Sequence, residues 1–155
     1  MASLFEWVET TVLAIAIRES LRLTAGLSAA HLVGFTLVTG GALVANLRLL
    51  GVLLPGRPAA QITDPAARGI AVGLALSVTT GLLLFGPRAS SAAANSTFQL
   101  KMGLLVAAAA FHFVVHRQVA RHGTASTAVQ RMTGAVGLAL WTSLALAGCA
   151  FILLE

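Results

Sequence analysis

An all-α integral membrane protein, built as a four-helix bundle with an amphipathic helix ahead of it, is what this sequence predicts, on three observations. Of its 155 residues 57% are apolar and only 10% are charged, and a mean hydropathy of +0.90 lies far above that of soluble chains. Apolar runs of span length recur, each span needing roughly 20 residues to cross a hydrocarbon core of about 30 Å. Charged residues and Pro/Gly breaks fall mostly between those runs, as at Pro55-Gly56-Arg57. The length then allows about four spans in one domain.

Residues 4–23 (LFEWVETTVLAIAIRESLRL) carry Glu6, Glu9, Arg18, Glu19 and Arg22 around a short apolar centre, the pattern of a helix lying in the membrane interface. A signal peptide begins with a basic region, whereas this segment begins with Glu6 and Glu9, so it is expected to be retained. The first span is expected over 27–54, with His31 near its start and Asn46 and Arg48 near its end. Gly34 and Gly41 share the face of His31 and would admit a neighbouring helix or a flat cofactor close to the backbone. Residues 55–68 read as a polar loop in which Asp64 caps, and Pro65 opens, a second span over 69–85. A small-residue loop (87–96), a third span (98–116), a basic loop (117–131) and a fourth span (134–154) complete the chain. The lone Cys149 cannot form an intrachain disulfide and is expected to pack in its helix.

The stretch Asn95 to His116 is the functional focus, because it sets Lys101, His112 and His116 into an apolar run. On a helix these three return to nearly one face, and ionisable groups inside a membrane are expensive unless they face a protein interior, a cofactor or water. His116, beside Arg117, reads instead as a marker of the interface. In an up-down bundle the first and third spans run the same way, which puts His31, Lys101 and Met102 at one level. His112 then lies about 16 Å or more deeper, toward Asn46 and Arg48.

The net charge of +5 and a pI near 11.5 do not point to nucleic acid, since the basic residues are scattered at span ends, where topology and anionic lipid headgroups explain them. Arg48, Arg57, Arg68, Arg117, Arg121 and Arg131 share one side, expected to be cytoplasmic, which leaves both termini outside. Ser-His-Asp catalysis has no basis, because Asp64 is the only aspartate and sits near a helix start.

The segments IRES (17–20), His31-Leu32-Val33-Gly34, NLRLLG (46–51), TGLLLF (80–85), Asn95 with Phe98, Lys101-Met102 and Phe111-His112 resemble an uncharacterised family of small four-span bacterial inner-membrane proteins of unknown function. The resemblance covers most of the chain and implies that membrane as its location. That family usually has an aspartate where Asn46 stands and often an acid or amide where Ser28 stands, so a proton or metal role for those acids does not carry over. The spacing of His31 and Lys101 is more distantly similar to haem-binding membrane protoporphyrinogen oxidases and copper-resistance D proteins.

These observations lead to the expectation of a b-type haem membrane subunit that transfers electrons, more an anchor or relay than an enzyme, working with a redox partner or as a homo-oligomer. His31 is the first ligand, with Lys101 or Met102 opposite it or near a propionate. His112 is the second candidate ligand, and Arg48 or Arg117 would neutralise propionates. No c-type attachment motif occurs, so haem b would be held noncovalently. The alternatives are a cofactor-free assembly subunit, a porphyrinogen-oxidising enzyme, and a copper-handling protein using His31, Met102, His112 and His116. Copper(I) favours clustered sulfur ligands, of which this chain has few.

Overall fold

The computed structural model describes residues 4–122 and 125–153. Two short helices, α1 (Leu4–Glu9) and α2 (Val12–Glu19), precede α3 (Leu21–Leu50) and, after a loop, α4 (Ala59–Phe85). A 3-10 turn over Gly86–Arg88 leads to α5 (Ala89–Ala94) and α6 (Ser96–Ala110); a π-helical segment over Phe111–His116 joins α6 to α7 (Arg117–His122), and α8 (Thr127–Leu153) closes the chain. Four stretches are long and apolar enough to cross a membrane: Leu21–Leu50, Ala59–Ala94, Ser96–Arg121 and Thr127–Phe151. The expected membrane helical bundle is therefore present.

Local chemistry sets the helix ends. Ser20 breaks α2 from α3 and its hydroxyl accepts from the Leu23 amide at 3.3 Å, while Gly51, in the left-handed region at φ 81°, closes α3 with its N–H on the Leu47 and Arg48 carbonyls. Asn95 caps α6 by accepting from the Thr97 and Phe98 amides at 2.8 and 3.1 Å. The interfacial helix expected over 4–23 is thus two helices, with Thr11 capping the second, and they pack on the turn and helix after α4 rather than standing apart.

The second membrane helix begins earlier than expected. Pro58, not Asp64, stands at its N-cap, and Pro65 lies inside the helix, where it forgoes one backbone hydrogen bond. Asp64 instead pairs with Arg121 of α7 at 3.0 Å. The fourth helix likewise starts at Thr127, and the expected end of its span at Leu154 lies outside the described residues, as do Gly123 and Thr124 of the basic loop.

Glycines fix how the helices pair. A Cβ on Gly34 would fall 2.9 Å from the Gly73 carbonyl oxygen, one on Gly73 2.7 Å from that of Gly34, and one on Gly41 2.9 Å from that of Ala66. Residue numbers rise on α3 as they fall on α4, so the two run antiparallel in near backbone contact. Gly134 and Gly137 bring α8 antiparallel onto the Asn46–Leu50 end of α3. With α6 beside α8 and α7 beside α4, α3 and α6 stand diagonally across the bundle. Its core is Val38, Ala42, Ile70, Ala108, Trp141 and Leu144. Leu32, Leu43, Val72, Leu82, Val106 and Leu146 are exposed on the outside, the surface that lipid covers. Below, the near end is the one carrying Leu21, Phe85 and Ser96, and the far end carries Leu50, Ala59 and Arg121.

Candidate functional site

Two polar centres lie inside this bundle, one toward each end. At the near centre His31 projects from α3 toward α4, its Nδ1 3.1 Å from the Thr80 hydroxyl oxygen. That hydroxyl sits 2.7 Å from the Leu76 carbonyl and 3.3 Å from that of Ser77, so its one proton is already directed at the backbone and it accepts from His31. The proton of the neutral ring is then on Nδ1 and the lone pair on Nε2. Gly81 makes room for the ring, since a Cβ there would lie 3.1 Å from His31 Cε1.

Lys101 reaches the same level from the diagonal helix α6 and lies within electrostatic range of His31. Its stem passes Gly148, where a Cβ would be 4.0 Å from Cε, and its ammonium stands 5.7 Å from the centre of the Phe151 ring. Phe98 contacts both Phe151 and Phe85, at centroid distances of 5.6 and 5.4 Å, and Phe85 meets Phe5 at 6.1 Å. A chain of aromatic rings from α1, α4, α6 and α8 therefore runs across the near end beside Lys101. Met102 is exposed, on the outer side of α6, and is not brought to His31.

The far centre is built on the π-helical segment. His112 and His116 are each 1% exposed, with ring centroids 4.9 Å apart and planes inclined by 31°. The Arg117 N–H donates to the His112 carbonyl, the i to i+5 bond of a π-bulge, a distortion that recurs at functional sites. None of the four ring nitrogens makes a hydrogen bond of normal geometry, although the Ala45 backbone lies beside the His116 ring. Trp141 packs edge-on to His112 at 6.3 Å.

Asn46 lies at the same depth, fully buried, its Nδ2 donating to the Ala42 carbonyl at 2.7 Å. Its Oδ1 is without a partner and occupies the space that a side chain at Gly137 would need. The His116 ring is as buried inside the protein as that of His112, not turned outward toward lipid or water. Among the described residues the acids are Glu6, Glu9 and Glu19 in or beside the near-end helices and Asp64 at the far end, so no carboxylate stands at this depth. A bound cation would be left unbalanced in a low-dielectric interior. Neutral water, which needs two to four polar partners, suits the five orphaned atoms better.

The two expected propionate partners sit elsewhere. Arg48 is buried and donates to the Arg57 carbonyl and, at 3.5 Å, to that of Pro55, tying the loop after α3 to the bundle. Arg117 lies over the Phe113 ring at 5.9 Å on the α4 side of the far end, in a cleft with Asp64, Arg68 and Arg121. Both are far from His31 along the axis.

The model of a family of unknown function, DUF6644, matches residues 4–153. The chain belongs to that family. Both polar centres of this DUF6644 member fall within the matched segment, as does the chain of aromatic rings at the near end. No curated protein and no solved structure matches the chain.

Sequence reasoning missed Trp141 as the partner of His112, and it missed Thr80 entirely. Spacing along the chain gives no signal for Thr80, because the register of α3 against α4 is set by the close approach of Gly34 and Gly73. Nothing in spacing announces the π-helical segment, which moves the face of His116 relative to a regular helix.

Proposed function

We propose that this protein is a b-type haem-binding subunit that transfers electrons in the bacterial inner membrane, with His31 as axial ligand. The observation that carries this reading is the hydrogen bond from His31 Nδ1 to Thr80, itself held to the Leu76 carbonyl. A ligating histidine characteristically donates its other N–H to a fixed acceptor, which sets ring orientation and tautomer and leaves a basic nitrogen for the metal. Lys101, at the same level on the diagonal helix, is the second residue that would hold the haem. Gly81 accommodates the His31 ring and Gly148 the Lys101 stem, and Phe85, Phe98 and Phe151 lie against one another at that end.

The far centre does not suit the same group. His112 and His116 come from adjacent turns of one helix with their rings side by side, so they cannot take opposite faces of one iron. The ligand is therefore assigned to His31 and not to His112. When bound, haem would supply one-electron chemistry; the protein supplies the imidazole and its orientation. The basic far end faces the cytoplasm in this reading, which puts His31 near the opposite face, where a partner redox protein would exchange electrons.

Titrating the purified protein with haem tests the reading. His31→Ala should abolish the Soret shift, and Thr80→Val should weaken binding by about 10–100-fold, with Thr80→Ser close to wild type. Equal binding by wild type and Thr80→Val would remove the observation on which the assignment stands.

A further inference from the structure

A cleft at the far end, between α4 and the π-helical segment with α7, is lined by Asp64, Ala67, Arg68, Ala71, Phe113, Arg117 and Arg121. Its volume is about 140 Å³, against roughly 10–15 Å³ for one water on the same kind of measure. The charges are unbalanced. Asp64 is the one acid among the lining residues and it is engaged by Arg121, which leaves Arg68 and Arg117 without a carboxylate. Arg117 also lies over the Phe113 ring, and its Nε is buried with no hydrogen-bond partner. A guanidinium beside an aromatic ring and without a carboxylate partner has N–H donors to offer an oxyanion.

The lining is divided by depth. Ala71 and Phe113 lie toward the membrane interior, while Asp64, Arg68, Arg117 and Arg121 lie at the end of the bundle. An occupant that satisfies both parts has an anionic head and an apolar tail.

We propose that this cleft binds the phosphate headgroup of an anionic phospholipid, with Arg68 and Arg117 as the principal contacts and the acyl chain running along Ala71 and Phe113. Free phosphate shares the headgroup chemistry but has nothing to lay on the apolar part. A carboxylate-rich peptide would meet Asp64 as well, whereas one phosphodiester reaches the two unpaired arginines without it. The cleft adjoins the far centre, its Phe113 ring 5.1 Å from that of His112, and does not depend on haem.

The test is native mass spectrometry of the full-length protein in detergent, titrated with phosphatidylglycerol, phosphatidylcholine or inorganic phosphate. Phosphatidylglycerol should bind at one saturable site, with affinity reduced about tenfold or more by Arg117→Gln and similarly by Arg68→Gln. Arg68 is exposed, so its variant tests the site even if Arg117→Gln fails to fold. Arg131→Gln removes a far-end charge outside the cleft and should leave binding unchanged. Equal retention of phosphatidylcholine would overturn the proposal, as would loss in Arg131→Gln matching that in Arg68→Gln. Inorganic phosphate competing as well as the lipid at equal concentration would overturn the lipid assignment.

Discussion

At the scale of single residues, energetic tension is concentrated at the far centre. Four imidazole nitrogens and the Asn46 Oδ1 are buried without partners, and each stranded polar group costs about 1–3 kcal/mol. A polar partner shared by the two rings would offset that cost. His112→Leu and His116→Leu should therefore each destabilise the protein by about 1–3 kcal/mol, with the double variant losing less than the sum. Thermal unfolding in detergent measures this, and two stabilising, additive substitutions would show a dry pair instead. Gly137→Ala should cost a further measurable amount, about 1–3 kcal/mol, because its methyl group overlaps the Asn46 carboxamide. An unchanged melting temperature would mean that Asn46 is free to turn away.

Such residues show what sequence could and could not announce. His31 and Lys101 were legible as level, because depth follows from counting along parallel spans. Their surroundings were not, since Thr80, Gly81, Gly148 and Phe151 arrive from helices distant in sequence. His116 was misread because a histidine next to an arginine looks interfacial when only neighbours along the chain are considered, whereas it shares the inward face of His112, one turn away. Trp141 was visible only as one large residue in an apolar run.

At the scale of elements, the α3–α4 pair is the most closely packed, because Gly34 and Gly73 let two backbones meet. Gly34→Ala puts a methyl group 2.8 Å from the Ser77 amide nitrogen and 2.9 Å from the Gly73 carbonyl oxygen, and neither backbone atom can yield as a side-chain tip does. It should destabilise by about 1–3 kcal/mol and, by moving α3 from α4, lengthen the His31–Thr80 hydrogen bond. Gly40→Ala, which meets nothing within 4 Å, is the control, and equal melting temperatures for the two would contradict this packing. Sequence located these helices by their apolar runs and by stops such as Pro55-Gly56. It placed the starts of the second and fourth too late, because helices extend through polar turns beyond the hydrocarbon. The break at Ser20 had a signal in the serine itself, a good N-cap residue, but the charges of Arg18, Glu19 and Arg22 read equally as one polar face.

At the scale of the whole molecule, the two ends differ: Glu6, Glu9 and Glu19 lie with aromatic rings at the near end, and Asp64 is the one acid among the arginines of the far end in the described residues. The far end is expected in the cytoplasm. Single cysteines at Gln61 and Ser126, both exposed far-end positions, in a Cys149→Ala background should resist an impermeant thiol reagent in intact cells and react after permeabilisation. Labelling of both from outside would invert the orientation.

Haem content per chain tests the central assignment most directly. The protein is purified after expression with ample haem supply, and its oxidised and reduced absorption spectra are recorded beside those of His31→Ala and His112→Ala. One haem per chain is expected in the wild type, retained in His112→Ala with its spectrum nearly unchanged and lost in His31→Ala. A well-folded wild-type protein that carries no haem, or a His31→Ala variant that carries as much as wild type, would contradict the assignment of His31 as an axial ligand.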